Sequence, residues 1–268
     1  MSESRSKRQR QQNRHATVPR RATEIYDELI ALVHGLPLPP NVPPGEWNIQ
    51  KTKDVHAPAV AWGWLARITR SGQAAIHLEN LGFGAETPPL TRSAIEHAIR
   101  LLWAADSGTA FIDVALLTKE QGLMKILDAQ SDVWSFEKEL ADAMERHILE
   151  AGAADRSLGH LGHLRKIVDL NPEERGPLYM GWLIDTQDSH PSLASAQPYY
   201  TVTDGATARI QFEWEPRFST AVHMKATLAL IAGLHAYAKI VGATDRIEPL
   251  LDDIIRRLKA RHLQKDAT

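Results

Sequence analysis

The chain has 268 residues, of which 43% are hydrophobic and 24% are charged, a composition that favours a globular protein over a disordered or fibrous one. It contains no cysteine, which excludes disulfide bonds, thiolate metal ligands and a cysteine nucleophile, and fits a reducing compartment. No apolar run approaches the roughly 20 residues of a membrane-spanning helix, and no hydrophobic segment follows the basic N-terminus. We therefore expect a cytoplasmic protein without a membrane partner.

The N-terminal segment is strongly basic. Residues 1–21 hold seven Lys or Arg and one Glu, a net charge of +6; since the whole chain carries −2, the remainder carries −8. We predict a disordered arm over 1–20 that is either solvated or docked on the acidic remainder. The alternative is an arm that contacts RNA through six of its seven cations, Lys7, Arg8, Arg10, Arg14, Arg20 and Arg21.

Helical spacing of apolar residues dominates the rest of the chain, and Gly and Pro mark the ends of the periodic stretches. The pattern predicts helices over 22–36, 55–81, 88–106, 110–130, 132–151, 155–170, 172–186, 219–242 and 244–264. Residues 36–47 contain too many prolines for a helix or a central strand, and we predict a loop there.

Short signals define several of these helix ends. Gly82 is predicted to stop the second helix, because glycine adopts the left-handed conformation that ends a helix. Thr87 is predicted to cap the third helix, which Pro88 opens. Asn171 and Pro172 form the same kind of start signal for a later helix.

One region departs from the helical pattern. The runs YYTVT and ARIQFEW flank Asp204-Gly205, which predicts a small β-hairpin or an extended insertion near 199–215, within an inserted region of about 190–216. The predicted fold class is therefore all-α: a single bundle of about seven to nine helices over 21–268, carrying this small insertion.

The third predicted helix carries ionisable residues among apolar ones. Arg92, Glu96 and His97 lie among isoleucines, leucines and a tryptophan, and a buried charge is costly unless it is paired. Residues four apart are neighbours on a helix, so Arg92 and Glu96 are predicted to form a salt bridge. On this structural interpretation His97 is a hydrogen-bonded histidine at the edge of the core.

The Arg-x4-His spacing of Arg92 and His97 resembles the motif of the HEPN superfamily, small helical bundles that often act as metal-independent ribonucleases. The resemblance implies a composite site at the interface of a homodimer, with no metal and no cofactor. It implies that His97 assists attack by a ribose 2′-hydroxyl and that Arg92 stabilises charge on the phosphorane.

A second resemblance covers two blocks, LTRSAIEHAIRLLWAA (90–105) and YMGWLIDTQDSHPS (179–192). They are similar to a group of uncharacterised bacterial helical proteins with an Arg-x3-Glu helix and a later Ser-His-Pro-Ser segment. The resemblance implies that Arg92 and Glu96 lie near residues 188–190 in the folded bundle. The candidate catalytic residues are therefore Arg92, Glu96, His97 and His190.

Two other interpretations remain open. In the first, the protein is a non-catalytic helical interaction or scaffold protein, and the same polar residues form a structural network that fixes helix register. In the second, His160 and His163 bind a metal with His147 or Glu150, because they are spaced one turn apart. Gly159 and Gly162 loosen the helix that would hold this pair, so no metal ligand is predicted.

Overall fold

The computed structural model describes residues 23–39, 53–131, 133–203, 209–215 and 221–266. The α-helices in this part of the chain are α1 (23–34), α2 (Lys53–Asn80), α3 (Pro88–Ser107), α4 (Ala110–Asp128), α5 (Lys138–Glu150), α6 (Leu164–Leu170), α7 (Pro172–Ser189), α8 (Leu193–Ala196), α9 (Val222–Ile240) and α10 (Thr244–Asp266). Short 3₁₀ turns occupy Gly84–Glu86, Ala151–Ala153, Arg156–Gly162 and Gln197–Tyr199, and the two strands are β1 (Tyr200–Thr203) and β2 (Arg209–Phe212).

The prediction of an all-α fold with a small β insertion is confirmed. Within the described ranges, eight α-helices are longer than seven residues, which agrees with the expected seven to nine. The strands pair antiparallel, as the alternation in 199–215 predicted, although the turn at 204–208 lies outside the described residues. The basic arm, with Lys7 through Arg21, also lies outside them.

The centre of the molecule is formed by α2, α3 and α9, which pack on one another, with α7 lying along α3. The apolar residues of α9 are buried nearly all round, as its sequence predicted, and include Ala226, Leu230, Leu234 and Tyr237. Gly233 allows α9 to approach α2 closely, because a Cβ there would lie 2.9 Å from Cδ1 of Ile68.

Several predicted helix ends are confirmed in position, although the predicted cap at the start of α3 does not form. Gly82 has φ of +92° just beyond α2, the conformation expected of a helix-ending glycine. Asn171 caps α7 by accepting a hydrogen bond from the backbone N–H of Glu174. Thr87 precedes α3 but does not cap it: its hydroxyl donates to the carbonyl of Gly84, because the chain enters α3 directly from a 3₁₀ turn.

Two predicted helices are shorter than their sequence patterns suggested. The helix expected over 132–151 begins at Lys138, because paired backbone hydrogen bonds between Ser131 and Trp134 close a turn before it. The helix expected over 155–170 is divided into the 3₁₀ turn and α6 by His163, whose backbone is extended (φ −82°, ψ 120°). The break falls beside Gly162, where the sequence pattern was already interrupted.

Candidate functional site

Helices α3 and α7 run antiparallel and are joined by polar side chains along their length. Near one end, the Thr91 hydroxyl donates to Asp185 over 2.6 Å. In the middle, the indole N–H of Trp182 donates to Glu96 over 3.4 Å. Near the other end, Arg175 is bonded to Asp106. The predicted site residues of α3 therefore lie along a helix pair that is held together by hydrogen bonds.

Glu96 is the hub of the polar residues predicted on α3. Its carboxylate accepts from Nε and Nη2 of Arg100 at 3.3 and 3.1 Å, and its second oxygen accepts from Trp182. Arg100 also donates to the carbonyl of Gly162 over 3.0 Å. Glu96 thus links α3 both to α7 and, through Arg100, to the 3₁₀ turn that ends at Gly162.

The predicted salt bridge between Arg92 and Glu96 is wrong. Within the described residues, the only ion pair of Glu96 is with Arg100. Both arginines lie four residues from Glu96, but the pair is more favourable when the acid precedes the base along the helix. Only Arg100 meets this condition, and the carbonyl of Gly162 holds its guanidinium in place.

Arg92 packs instead on an aromatic ring of α7. Its guanidinium carbon lies 5.1 Å from the ring centroid of Trp182, a cation–π contact, and its Nε is buried without a hydrogen-bond partner. Trp182 stacks on Tyr179 with centroids 5.5 Å apart, and Arg165 lies 5.7 Å from the Tyr179 centroid. Arg92 therefore terminates a stack in which two arginines flank two aromatic rings.

His97 lies on another face of α3. Because each residue turns an α-helix by about 100°, His97 lies about 140° around the helix from Arg92. Its Nδ1 donates to the carbonyl of Ser93 over 2.7 Å, in the tautomer that leaves Nε2 as an acceptor. Burial lowers the pKa of His97 below 6.5, with Arg67 and Arg100 acting in the same direction, against the effects of Ser93 and Glu96.

His190 shares no bond with the other three candidates within the described residues. It is exposed and follows the last residue of α7 with an extended backbone (φ −109°, ψ 152°). Within the described residues, no hydrogen bond, ion pair or ring contact joins His190 to Arg92, Glu96 or His97. Within the described residues, the α7 side chains that bond to Thr91 and Glu96 are those of Asp185 and Trp182.

The sequence interpretation missed a buried charged cluster between α3, α7 and α9. Asp185 is fully buried and accepts from Thr91, and Lys225 of α9 forms an ion pair with its other oxygen. Burial raises the pKa of Asp185, while the hydrogen bonds from Lys225 and Thr91 act to lower it. Lys225 stands out in the mostly apolar sequence of α9, but nothing near it in the sequence identifies Asp185 as its partner.

A second missed cluster lies at the opposite end of α3. Arg175 is 1% exposed; its Nη1 donates to the carbonyl of Ile167 over 3.0 Å and its Nη2 is paired with Asp106. Asp106 also pairs with Lys239 at 2.8 Å. A cavity of about 240 Å³ adjoins this cluster, and its lining residues are Trp103, Asp106, Ser107, Leu170, Asn171 and Arg175. Both of its charged side chains are already paired with each other.

Within the described residues, no three His, Asp or Glu side chains are grouped in a way that could hold a metal ion, and His160 donates through Nδ1 to the carbonyl of Ser157. None of the described helices combines the length and apolar character that crossing a membrane requires.

The fold and these contacts define an all-helical protein whose central helices are joined by buried polar clusters. Comparisons with protein-family models, with curated proteins and with solved structures each found no match to this chain. The functional conclusion therefore depends on the geometry of the chain itself.

Proposed function

We propose that this chain is a non-catalytic helical interaction protein of the cytoplasm, in which the polar residues of α3 have a structural role. The observation that supports the proposal most directly is the bonding of Glu96. Its two oxygens are used by Arg100 and Trp182, so the carboxylate joins three segments of the chain. A carboxylate engaged in this way helps to fix the relative position of the helices.

The other two candidates of α3 are also engaged within the chain. Arg92 packs on Trp182, and the Nδ1 of His97 is bonded to Ser93, four residues before it. The two side chains lie on different faces of α3, so a single substrate phosphate within one chain would not reach both of them. This arrangement favours a structural role over a joint catalytic one.

The proposal is tested by removing the carboxylate of Glu96 and, in a matched control variant, that of the exposed Glu145. Glu96→Ala is expected to lower the free energy of unfolding by about 1 to 2 kcal/mol, since it removes an ion pair and a hydrogen bond to a half-buried indole. Glu145→Ala removes an exposed carboxylate from α5 and is expected to change the free energy of unfolding by less than about 0.5 kcal/mol. Equal effects of the two substitutions in urea unfolding would count against a structural role for Glu96.

A second candidate function is a HEPN-like, metal-independent ribonuclease. The specific observation in its favour is His97, which burial keeps neutral and whose Nε2 carries a free lone pair, with Arg67 and Arg100 nearby. In such a reaction Nε2 accepts the proton of a ribose 2′-hydroxyl. That oxygen then attacks the adjacent phosphorus to give a 2′,3′-cyclic phosphate, the bond to the 5′-oxygen breaks, and the departing 5′-oxygen takes up a proton from water. The cations of the basic arm would supply affinity for RNA.

One assay separates the two functions. Single-stranded RNA is incubated in the presence of a chelator with the wild type, Arg92→Ala, His97→Ala and the control Arg70→Ala, which removes an exposed arginine of α2. If the chain is a non-catalytic interaction protein, neither the wild type nor any of the three variants should cleave the RNA. Cleavage by the wild type and the control that is lost in His97→Ala would establish the ribonuclease instead.

A further inference from the structure

The hairpin has one apolar face and one polar face. Its register pairs Tyr200 with Phe212 and Val202 with Ile210, while Thr201 lies opposite Gln211. Because side chains alternate across a strand, the apolar cross-strand pairs share one face and the Thr201–Gln211 pair belongs to the other. On the polar face, the amide of Gln211 donates to Glu213 over 3.1 Å.

The apolar face is exposed to solvent in the isolated chain. Val202 is 54% exposed, Ile210 60% and Phe212 81%, and Trp214, two residues beyond β2, is 93% exposed. A two-stranded hairpin is at best marginally stable in water unless its apolar face is covered. A contiguous apolar patch of this kind marks an interaction site.

One side-chain hydrogen bond ties the residue before β1 to the helical part of the chain. The hydroxyl of Tyr199 donates to the carboxylate of Glu86, just before α3, and this hydrogen bond raises the pKa of Tyr199 to about 12. The backbone N–H of Glu213 donates to the carbonyl of Tyr199 over 2.8 Å and extends the pairing beyond β2. The hairpin is therefore tied to the helical part of the chain at the base of β1.

We propose that the apolar face of the hairpin, formed by Tyr200, Val202, Ile210 and Phe212, together with the exposed Trp214 just beyond β2, binds the same surface of a second copy of this chain. The inference rests on the proposed interaction function and identifies its partner. The two hairpins would stack face to face about a twofold axis, as sheets do in a sandwich. An apolar face of this kind is complementary to itself, whereas an acidic or basic partner would find no charge on it to pair with.

The available area agrees with a second copy as the occupant. The side chains of Phe212 and Trp214 are almost fully exposed, and an aromatic side chain buries about 150 to 250 Å². With the exposed halves of Val202 and Ile210, each copy would bury roughly 500 Å², or about 1,000 Å² for the pair, which is the lower limit of a specific interface. We therefore expect a dimer of modest affinity.

The test compares adjacent residues on opposite faces of β2 in the full chain. Sedimentation velocity is expected to show a reversible dimer for the wild type and for Gln211→Asp. Phe212→Asp is expected to raise the dimer dissociation constant at least about tenfold, because it introduces a charge into the apolar interface. A wild type that stays monomeric, or a Phe212→Asp variant as dimeric as the wild type, would overturn the inference.

A second measurement covers the case in which Phe212→Asp disrupts the hairpin itself. Because the chain has no cysteine, a single introduced thiol reports on its own neighbourhood alone. With a bifunctional thiol cross-linker that spans about 10 Å, the separation of stacked sheets, Ile210→Cys is expected to form a covalent dimer much faster than Gln211→Cys, since position 210 faces the second copy and position 211 faces away. Equal rates for the two variants would contradict face-to-face stacking.

These outcomes are separate from those of the proposed function. If the wild type is monomeric and cleaves no RNA, the proposal that the partner is a second copy is overturned, but the proposed non-catalytic interaction function is retained. A monomeric wild type that binds neutral phosphatidylcholine vesicles also overturns the inference, because its occupant would then be a lipid surface. RNA cleavage lost in His97→Ala overturns the proposed function whatever the oligomeric state.

Discussion

The helical centre and the hairpin use polar and apolar side chains in opposite ways. In the centre, buried charges such as Asp185 and Arg175 are paired, and each pairing joins two helices. In the hairpin, Phe212 and Ile210 are apolar and exposed, with no helix of the described chain covering them. This difference is the basis of the proposed dimer, in which the centre is complete within one chain and a second copy covers the hairpin. Substitutions in the two regions should therefore have very different effects on stability.

The largest loss of stability is expected for Lys225→Ala. This substitution leaves the carboxylate of Asp185 buried without its cation, which costs about 3 to 5 kcal/mol in comparable cases. The control is Lys239→Ala in the same helix, where both partners of the ion pair are substantially exposed and the loss should stay below about 1 kcal/mol. Urea unfolding measures the loss of stability in both variants. Similar losses would contradict the burial of the ion pair between Asp185 and Lys225.

The pH dependence of Lys225→Ala sharpens this prediction. Burial raises the pKa of Asp185, so the folded state holds the proton more tightly than the unfolded state. The stability linked to this proton is fully present below the unfolded pKa of about 3.9 and is lost as the pH rises through the folded pKa. Without Lys225 the pKa of Asp185 in the folded state rises further. The difference in unfolding free energy between Lys225→Ala and the wild type should therefore shrink as the pH is lowered towards about 4.

The next largest effect is expected for Gly72→Ala, where α1 meets α2. An added Cβ would overlap the hydroxyl of Tyr26 and lie 2.9 Å from its Cζ. Tyr26 is 1% exposed and donates to the carbonyl of Thr69 over 3.0 Å, so it cannot move without losing this bond. We expect a loss of about 2 to 3 kcal/mol.

Gly63→Ala is the matched control in the same helix. Nothing lies within 4 Å of the Cβ that would be added at Gly63, so helix propensity alone should act and stabilise the protein by about 0.5 to 1 kcal/mol. Thermal unfolding of the two variants should therefore move in opposite directions. Two shifts of the same sign would contradict the close contact between α1 and α2.

A smaller effect is expected for His97→Gln, and it is visible in the pH dependence. Burial lowers the pKa of His97, so its stability contribution is present above the unfolded pKa of about 6.5 and is lost as the pH falls through the folded pKa. The substitution should reduce the slope of unfolding free energy against pH below about 6.5. Part of the slope should remain, because burial also lowers the pKa of His223. An unchanged slope would contradict burial of the imidazole, and His190→Gln controls for the loss of one exposed histidine.

The smallest effect on the stability of the single chain is expected in the hairpin. At concentrations too low for association, Phe212→Ser should change the free energy of unfolding by less than about 0.5 kcal/mol, because the side chain is already exposed. At high concentration the wild type alone should gain stability, since dimer formation favours the folded state. A large loss at low concentration would show that the ring packs within its own chain.

Local patterns predicted the elements well, for identifiable reasons. Apolar spacing and the signals at Gly82 and Asn171 depend on a few neighbouring residues, so helix ends could be predicted from the sequence. The alternation around 199–215 predicted the hairpin in the same way. The start of α5 could not be predicted, because the turn that delays it depends on paired backbone bonds between Ser131 and Trp134.

The candidate site could be predicted only in part. Spacing alone offers Glu96 two arginines, and the choice of Arg100 depends on pair orientation and on the carbonyl of Gly162, which comes from a distant segment. The partnership of Asp185 with Lys225 joins residues forty positions apart and has no local signal. Long-range pairing of polar groups is set by tertiary packing, which periodicity does not report.

The most direct test of the structural role of Glu96 is a double-mutant cycle with Trp182. Trp182→Phe removes the indole N–H that Glu96 accepts while keeping an aromatic ring beneath Arg92. If Glu96 joins α3 to α7, the substitutions Glu96→Ala and Trp182→Phe should be coupled by about 0.5 to 1.5 kcal/mol in urea unfolding. Strictly additive effects would contradict a structural link between the two helices at this point.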